Sequence, residues 1–334
     1  TLVIIGRARR KAEKSGWGIT LGDVIEDTMG KKGRLIFGTI ASWERVAVTS
    51  GQLVAAGVLV ATIFGQFGIN LTTAIIIVGI IIIINVGMGG LSAVVWADVI
   101  QMIIMTIGIG ILLPVILGSQ LDFSQLFSSA DKSFYNIAPT NMAILGTAVA
   151  WFTSGLANQT VWSRGIAAKD EKTAIKSNII GSSIGIAWGV LMVFITFSMK
   201  AIYPNIGGNP DSFLVNTIVD GFPIVITGLI LAAVLANILS TTNTVLLQAV
   251  MNITHDLYSK VFKQNATEEE KLKFARIITP IVGILPTLLG LYIPQIIEVQ
   301  NLGYNFYGAA VTIPFWISML FPRIITPIGG ISSM

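Results

Sequence analysis

GFPIVITGLILAAVLANILSTTNTVLLQAVMN, Gly221–Asn252, is the stretch that decides how this chain folds. No charged residue falls between Phe222 and Val250. As a helix that run crosses the roughly 30 Å hydrocarbon core of a bilayer with some tilt. Its second half nevertheless carries Asn237, Ser240, Thr241, Thr244 and Gln248. Their spacing, i, i+3, i+4, i+7 and i+11, puts all five on one face of a 3.6-residue helix. Turned to lipid, that face would leave hydroxyls and amides without partners, so it meets protein, water or an ion. Two readings stand. The hydroxyls bond back to the i−4 carbonyls while small residues let helices approach, or the face lines a binding site or pathway.

The bulk composition agrees with a membrane setting. Mean hydropathy is +0.79, and charged residues make up 11% of the chain, against about 25% in soluble domains. The net charge of +4 is scattered through short hydrophilic breaks. A nucleic-acid binder would instead gather its basic residues on one face among aromatics. The absence of cysteine rules out disulfides, thiolate metal sites and cysteine nucleophiles, and a single histidine rules out a histidine-rich metal cluster. The opening TLVIIGRARRKAEK places its basic residues after its apolar ones, unlike a signal peptide. It reads as the cytoplasmic end of a membrane helix that starts upstream.

Eight spans are expected, at 36–63, 69–92, 97–118, 141–162, 178–199, 222–250, 275–292 and 296–321, within one transmembrane domain covering 1–334. Residues 7–34 are hydrophilic and amphipathic and predict one or two short interfacial helices. Glu44 and Arg45 sit near the inner end of the first span, as headgroup-layer residues or as a buried functional ion pair. The second span is rich in isoleucine and contains the isolated Asn85. Gly87, Gly89 and Gly90 then predict a break or a close helix contact before Asp98 and Gln101 at the mouth of the third. A polar loop is expected over 119–140. Gly155, Asn158 and Gln159 interrupt the apolar run of the fourth span, the way transporters break helices at mid-depth. Pro280 and Pro286 predict a kinked seventh span. The eighth carries Gln300, Asn301, Tyr304, Asn305 and Tyr307 in its first turns.

With these spans, breaks 1–34, 164–176, 260–276 and 322–334 fall on one side and hold 18 of the 21 basic residues. That bias is the positive-inside signature and predicts that these segments, the C-terminus included, are cytoplasmic in a multi-pass cell-membrane protein.

Three motifs then converge. GGLSAVVWADVIQ (Gly89–Gln101), NQTVWSRGIAAKD (Asn158–Asp170) and LAAVLANILSTTNTVLL with THDLY (Leu231–Tyr258) resemble the sodium/solute symporter family. That family contains sodium-coupled sugar, proline and pantothenate-type carriers. The resemblance covers essentially the whole chain, with the motifs in order and in register with the spans. It implies an all-α leucine-transporter-type fold of inverted repeats, here incomplete, with core helices three to ten. It implies Na+ as the coupling ion and a small organic solute, a sugar, amino acid or carboxylate, as cargo. Residue by residue, the family's helix-eight hydroxyl pair matches Ser240–Thr241, with the carbonyl one turn earlier at Asn237. Neutral oxygens suit a monovalent cation that must also leave. The family aspartate matches Asp98, as a gating or sodium-exit residue or, on local grounds, a helix N-cap. Gln159, beside Asn158, matches a family glutamine and is a candidate for solute hydrogen bonds. Arg164 matches a family arginine, as headgroup anchor or inner-gate partner, and Tyr304 completes the solute or gating candidates. Departures fall at Asn85–Val86, where the family commonly has Tyr-Thr, at Ala97 where it has Thr, and at Thr242 and Asn243. These departures leave the sodium stoichiometry open, with one sodium per cycle as the expectation.

Other classes fit less well. A membrane enzyme needs a catalytic constellation, and His255 beside Asp256 has no nucleophile placed with it. No glycine-rich stretch has the strand and Lys-Ser/Thr setting of a phosphate loop, so nucleotide coupling has no support. A channel, a non-transporting sensor or an inactive fragment on the same scaffold remains the alternative to sodium-driven uptake.

Overall fold

Thr20 opens the first long helix in extended backbone, and ten residues later Gly30 takes φ 69°, a left-handed conformation that an L side chain resists. The computed structural model describes residues 4–15, 20–121, 142–203 and 209–334. Most of the expected 119–140 loop therefore lies outside the described residues, as do 204–208. A short helix, α1 (Ile5–Ser15), precedes α2 (Leu21–Phe64), which the Gly30 kink divides into a first segment and a long buried one. These occupy the stretch where interfacial helices are expected.

Where two spans are expected at 69–92 and 97–118, the backbone forms one helix, α3 (Leu71–Met105). It passes through a π-helical turn, Thr106–Leu112, into α4 (Leu113–Gln120). Glycine costs a helix about 1 kcal/mol relative to alanine but leaves every backbone hydrogen bond available, so the glycines after Asn85 need not end it. Two apolar stretches within this length, Leu71–Gly87 and Trp96–Gln120, keep the sequence pattern.

The fourth expected span is two helices, α5 (Met142–Leu156) and α6 (Gln159–Ile166). Asn158 caps α6 by accepting the Thr160 amide at 2.9 Å. The carbonyls freed at the break also find donors. Trp162 Nε1 donates to the Leu156 carbonyl at 3.0 Å and the Tyr307 hydroxyl to the Ala157 carbonyl at 2.8 Å. A helix can be interrupted inside apolar surroundings only when such groups are satisfied.

Asp170 caps α7 (Glu171–Ile202) through the Thr173 amide, a bond that holds the Asp170 carboxyl below its usual range. A short α8 (Phe213–Gly221) leads to α9 (Ile224–Met251), which continues as a π-helical segment, Asn252–Phe262. A capping box between Thr267 and Glu270 starts α10 (Glu268–Tyr292), which contains both Pro280 and Pro286. The chain closes with α11 (Ile296–Ala310), α12 (Thr312–Leu320) and α13 (Pro327–Ser332).

The long segment of α2 joins two apolar cores. On one side Leu53 and Leu59 bury with Ile82, Leu117, Ile195, Ile230 and Leu246 from α3, α4, α7 and α9. On the other, Phe37 buries with Ile5, Trp162, Tyr307 and Phe315 from α1, α6, α11 and α12. The outer faces are as apolar as the interior. Ile184, Ile186, Val190 and Val193 on α7 all lie exposed, an arrangement that hydrocarbon accommodates and water penalises. Among the described residues, five helices are long and apolar enough to cross a membrane. The chain is an all-α, polytopic membrane protein.

Candidate functional site

The polar stripe of α9 faces a cavity of about 500 Å³. Asn237, Ser240, Thr241 and Thr244 all line it, and the fifth member, Gln248, donates to Thr160 on its far wall at 2.9 Å. The stripe therefore has the environment that burying five polar groups requires. Its individual hydroxyls divide between the two readings of the sequence. Thr241 bonds back to the Asn237 carbonyl at 3.1 Å, the local pattern, while Ser240 reaches across to Asp98 Oδ1 at 2.7 Å. Thr244 donates to the other oxygen of Asp98 at 3.3 Å.

Asp98 is thus a member of the cavity wall. On α3 it lies with Gln101, Met102 and Met105 at i, i+3, i+4 and i+7, and all four line the cavity. The broken segment supplies Asn158, Thr160 and Arg164, and α11 supplies Tyr304. Tyr304 stacks obliquely on Trp151, with ring centroids 4.8 Å apart, and Ser154 donates to its carbonyl. Arg164 also borders a second cavity, about 460 Å³, between α6 and α7.

Seven of the eight expected site residues come together here, and Gln159 does not. It is 2% exposed, and its amide pairs reciprocally with Asn252 at the end of α9. Its neighbour Thr160 faces the cavity instead, because one residue along a helix turns a side chain by about 100°. Arg45 and Gln52 on α2 also line the cavity and were less legible. Arg45 and Gln52 are seven positions apart, the spacing of one helix face, and that periodicity was the available signal.

Asn85 donates to Asn243 across α3 and α9 at 3.2 Å. Both positions depart from the family pattern, so these two departures are in contact with each other.

A separate buried charge cluster sits where the π-helical end of α9 meets the kinked start of α2. Arg34, 1% exposed, contacts Asp23 at 2.7 Å, Asp256 at 2.7 Å, and Glu26. Thr20 donates to Asp256 at 2.6 Å. The Gly30 kink is what turns Asp23 and Glu26 back toward Arg34, and Gly22 lies against the Asp256 carboxylate.

The sequence matches the model of the sodium:solute symporter family over residues 3–334. The structure is similar to one described as the substrate-bound outward-open state of a Na+-coupled sialic acid symporter with a novel Na+ site, with a TM-score of 0.72. That similarity covers 96% of this chain and 72% of the other, at 20% identity, a level at which it speaks to the fold.

Proposed function

Because the chain belongs to the sodium:solute symporter family, membrane transporters that couple Na+ to a small organic solute and are not enzymes, we propose that its cavity is the shared pathway for both. Na+ meets the hydroxyl oxygens of Ser240 and Thr241. The observation that carries this reading is how those hydroxyls dispose of their protons. Ser240 donates its hydrogen bond to Asp98 and Thr241 to the Asn237 carbonyl, and a hydroxyl that donates once keeps its oxygen lone pairs for a cation. The Asn237 carbonyl accepts the Thr241 hydroxyl as well as its helical partner, so Asn237 contributes through its side-chain amide at the cavity wall.

Asp98 acts in gating. It holds Ser240 and Thr244 on α9 to α3, and its carboxylate places an attractive charge beside a cation that meets the Ser240 oxygen. Arg164 and Tyr304 border the solute, with Asn158 fixing the break between α5 and α6 that positions them. The fold reads as a leucine-transporter-type inverted repeat containing core helices three to ten. Transport follows from rocking of the helices that carry α5–α6 against α3, α9 and α10, opening the cavity to either side in turn. Sodium bound in the outward-facing state raises solute affinity, and the solute raises sodium affinity by the same factor. The basic segments 1–34, 164–176 and 260–276 and the C-terminus lie on the cytoplasmic side.

Equilibrium binding of radiosodium to the purified chain tests the assignment. Saturable binding that unlabelled Na+ displaces and K+ does not is the predicted outcome. Binding that K+ displaces equally would remove sodium from the cavity.

A further inference from the structure

Arg45 lies in the long buried segment of α2, 4% exposed, and borders the cavity. A guanidinium there stays charged and is costly to hold without partners. Among the described residues its one ionic contact is Glu44, the next residue on the same helix, with Nε and Oε2 2.8 Å apart. Neighbouring residues on a helix point about 100° apart, so the two groups cannot meet fork to fork. The contact is not aligned as a hydrogen bond, and Glu44 Oε2 and Arg45 Nε both lack one. Among the described residues, the two terminal amino groups of Arg45 have no carboxylate or carbonyl partner.

The rest of the wall shows the same imbalance. Gln101 Oε1 is buried and has no donor. Arg164 brings a second guanidinium, with no ion pair among the described residues. Among the described residues, the one carboxylate in the wall, Asp98, accepts from Ser240 and Thr244. Two cationic forks face a cavity whose single anion is engaged by hydroxyls, in a volume of about 500 Å³, suited to a small molecule.

We propose that the solute is a small organic acid whose carboxylate docks on the terminal amino groups of Arg45, while Gln101 Oε1 accepts from a hydroxyl or amine elsewhere on the same molecule. This rests on the reading of the cavity as the transport pathway. Guanidinium and carboxylate match as planar forks, giving two parallel charge-assisted hydrogen bonds where Glu44 offers one poorly aligned contact. An anionic solute also gives the coupling a physical origin. Na+ at the Ser240 end of the cavity and a carboxylate at the Arg45 end attract each other through a region of low dielectric.

The test compares acids with neutral molecules of nearly the same shape. Thermal unfolding of the purified chain in detergent is followed at fixed NaCl while lactate or lactamide, glucuronate or glucose, and pantothenate or panthenol are titrated in. The expected result is that at least one acid stabilises the chain at about tenfold or more lower concentration than its neutral partner. Arg45→Gln should abolish that preference, and Arg45→Lys should weaken it in part, because a point charge replaces a fork. The wild-type comparison stands even if a variant fails to fold. Neutral partners that stabilise as well as the acids would overturn the proposal. So would acids without effect while NaCl still stabilises over KCl, a result that leaves the sodium reading intact. If NaCl gives no advantage over KCl either, the pathway reading fails and this inference fails with it.

Discussion

Ser240 and Asp98 are 142 positions apart in the chain and joined by a 2.7 Å hydrogen bond. The bond ties the hydroxyl stripe of α9 to the Asp98 carboxylate on α3 and leaves the Ser240 oxygen lone pairs to an arriving cation. Asp98→Asn keeps the shape and removes the charge. Sodium then loses the attraction of a nearby carboxylate, and its apparent affinity should fall about tenfold or more. A sodium titration of thermal stability checks this, and an unchanged midpoint would argue that Asp98 only braces the two helices.

The Arg34 cluster predicts a stability effect with no sodium component. Removing the guanidinium in Arg34→Ala leaves the Asp23, Glu26 and Asp256 carboxylates without the cation that compensates them. Breaking a buried pair by deleting one partner costs about 3–5 kcal/mol. Denaturant unfolding in detergent should show a loss of that order, little reduced at high salt because the pair is shielded from solvent. A loss under about 0.5 kcal/mol would mean the cluster carries no stability.

Gln159 should matter for folding more than for cargo. Gln159→Ala strands the buried Asn252 amide, whose partner it is, at a cost of about 1–3 kcal/mol. Thr160→Val, by contrast, changes the cavity wall itself. The expectation is a lowered melting temperature for the Gln159 variant with the sodium midpoint retained. A shifted midpoint with unchanged stability would return Gln159 to the site.

The membrane orientation can be read directly, because the chain has no cysteine. Single cysteines at Lys172, in the basic break, and at exposed Asn209, which the proposed orientation puts on the opposite side, supply two reporters. In sealed right-side-out vesicles an impermeant thiol reagent should label Asn209→Cys and spare Lys172→Cys until the membrane is opened. The reverse pattern would invert the assigned sidedness.

What could be read from the sequence was what repeats along a helix. Asn237, Ser240, Thr241, Thr244 and Gln248 keep phase over three turns, so their common face and its need for partners followed from spacing alone. Asp98 and Gln101 carried the same signal over one turn. Gln159 did not, because the helix restarts at Asn158 and a cap resets the phase that decides which neighbour faces the cavity. The Arg34 cluster was invisible for a related reason. It depends on the left-handed turn at Gly30, which brings Asp23 and Glu26 back toward a residue that straight-helix geometry would carry away from them. Arg45 had a visible charge but an ambiguous depth, and only the packing of α2 between two cores places it inside. The continuity of α3 past its glycines is likewise a tertiary outcome. Local preference marks where a helix weakens, and contacts with α9 and α10 decide whether it ends.

Whether Na+ meets the hydroxyl pair Ser240–Thr241 can be read from a single comparison. Thermal unfolding of the purified chain is followed while NaCl replaces KCl at constant ionic strength, for wild type and for the Ser240→Ala/Thr241→Ala variant. A ligand that binds only the folded state raises its apparent stability. The expected result is a rise in melting temperature specific to sodium in the wild type and absent from the double variant. Equal melting in both salts, or a sodium-specific rise that survives loss of both hydroxyls, would contradict it.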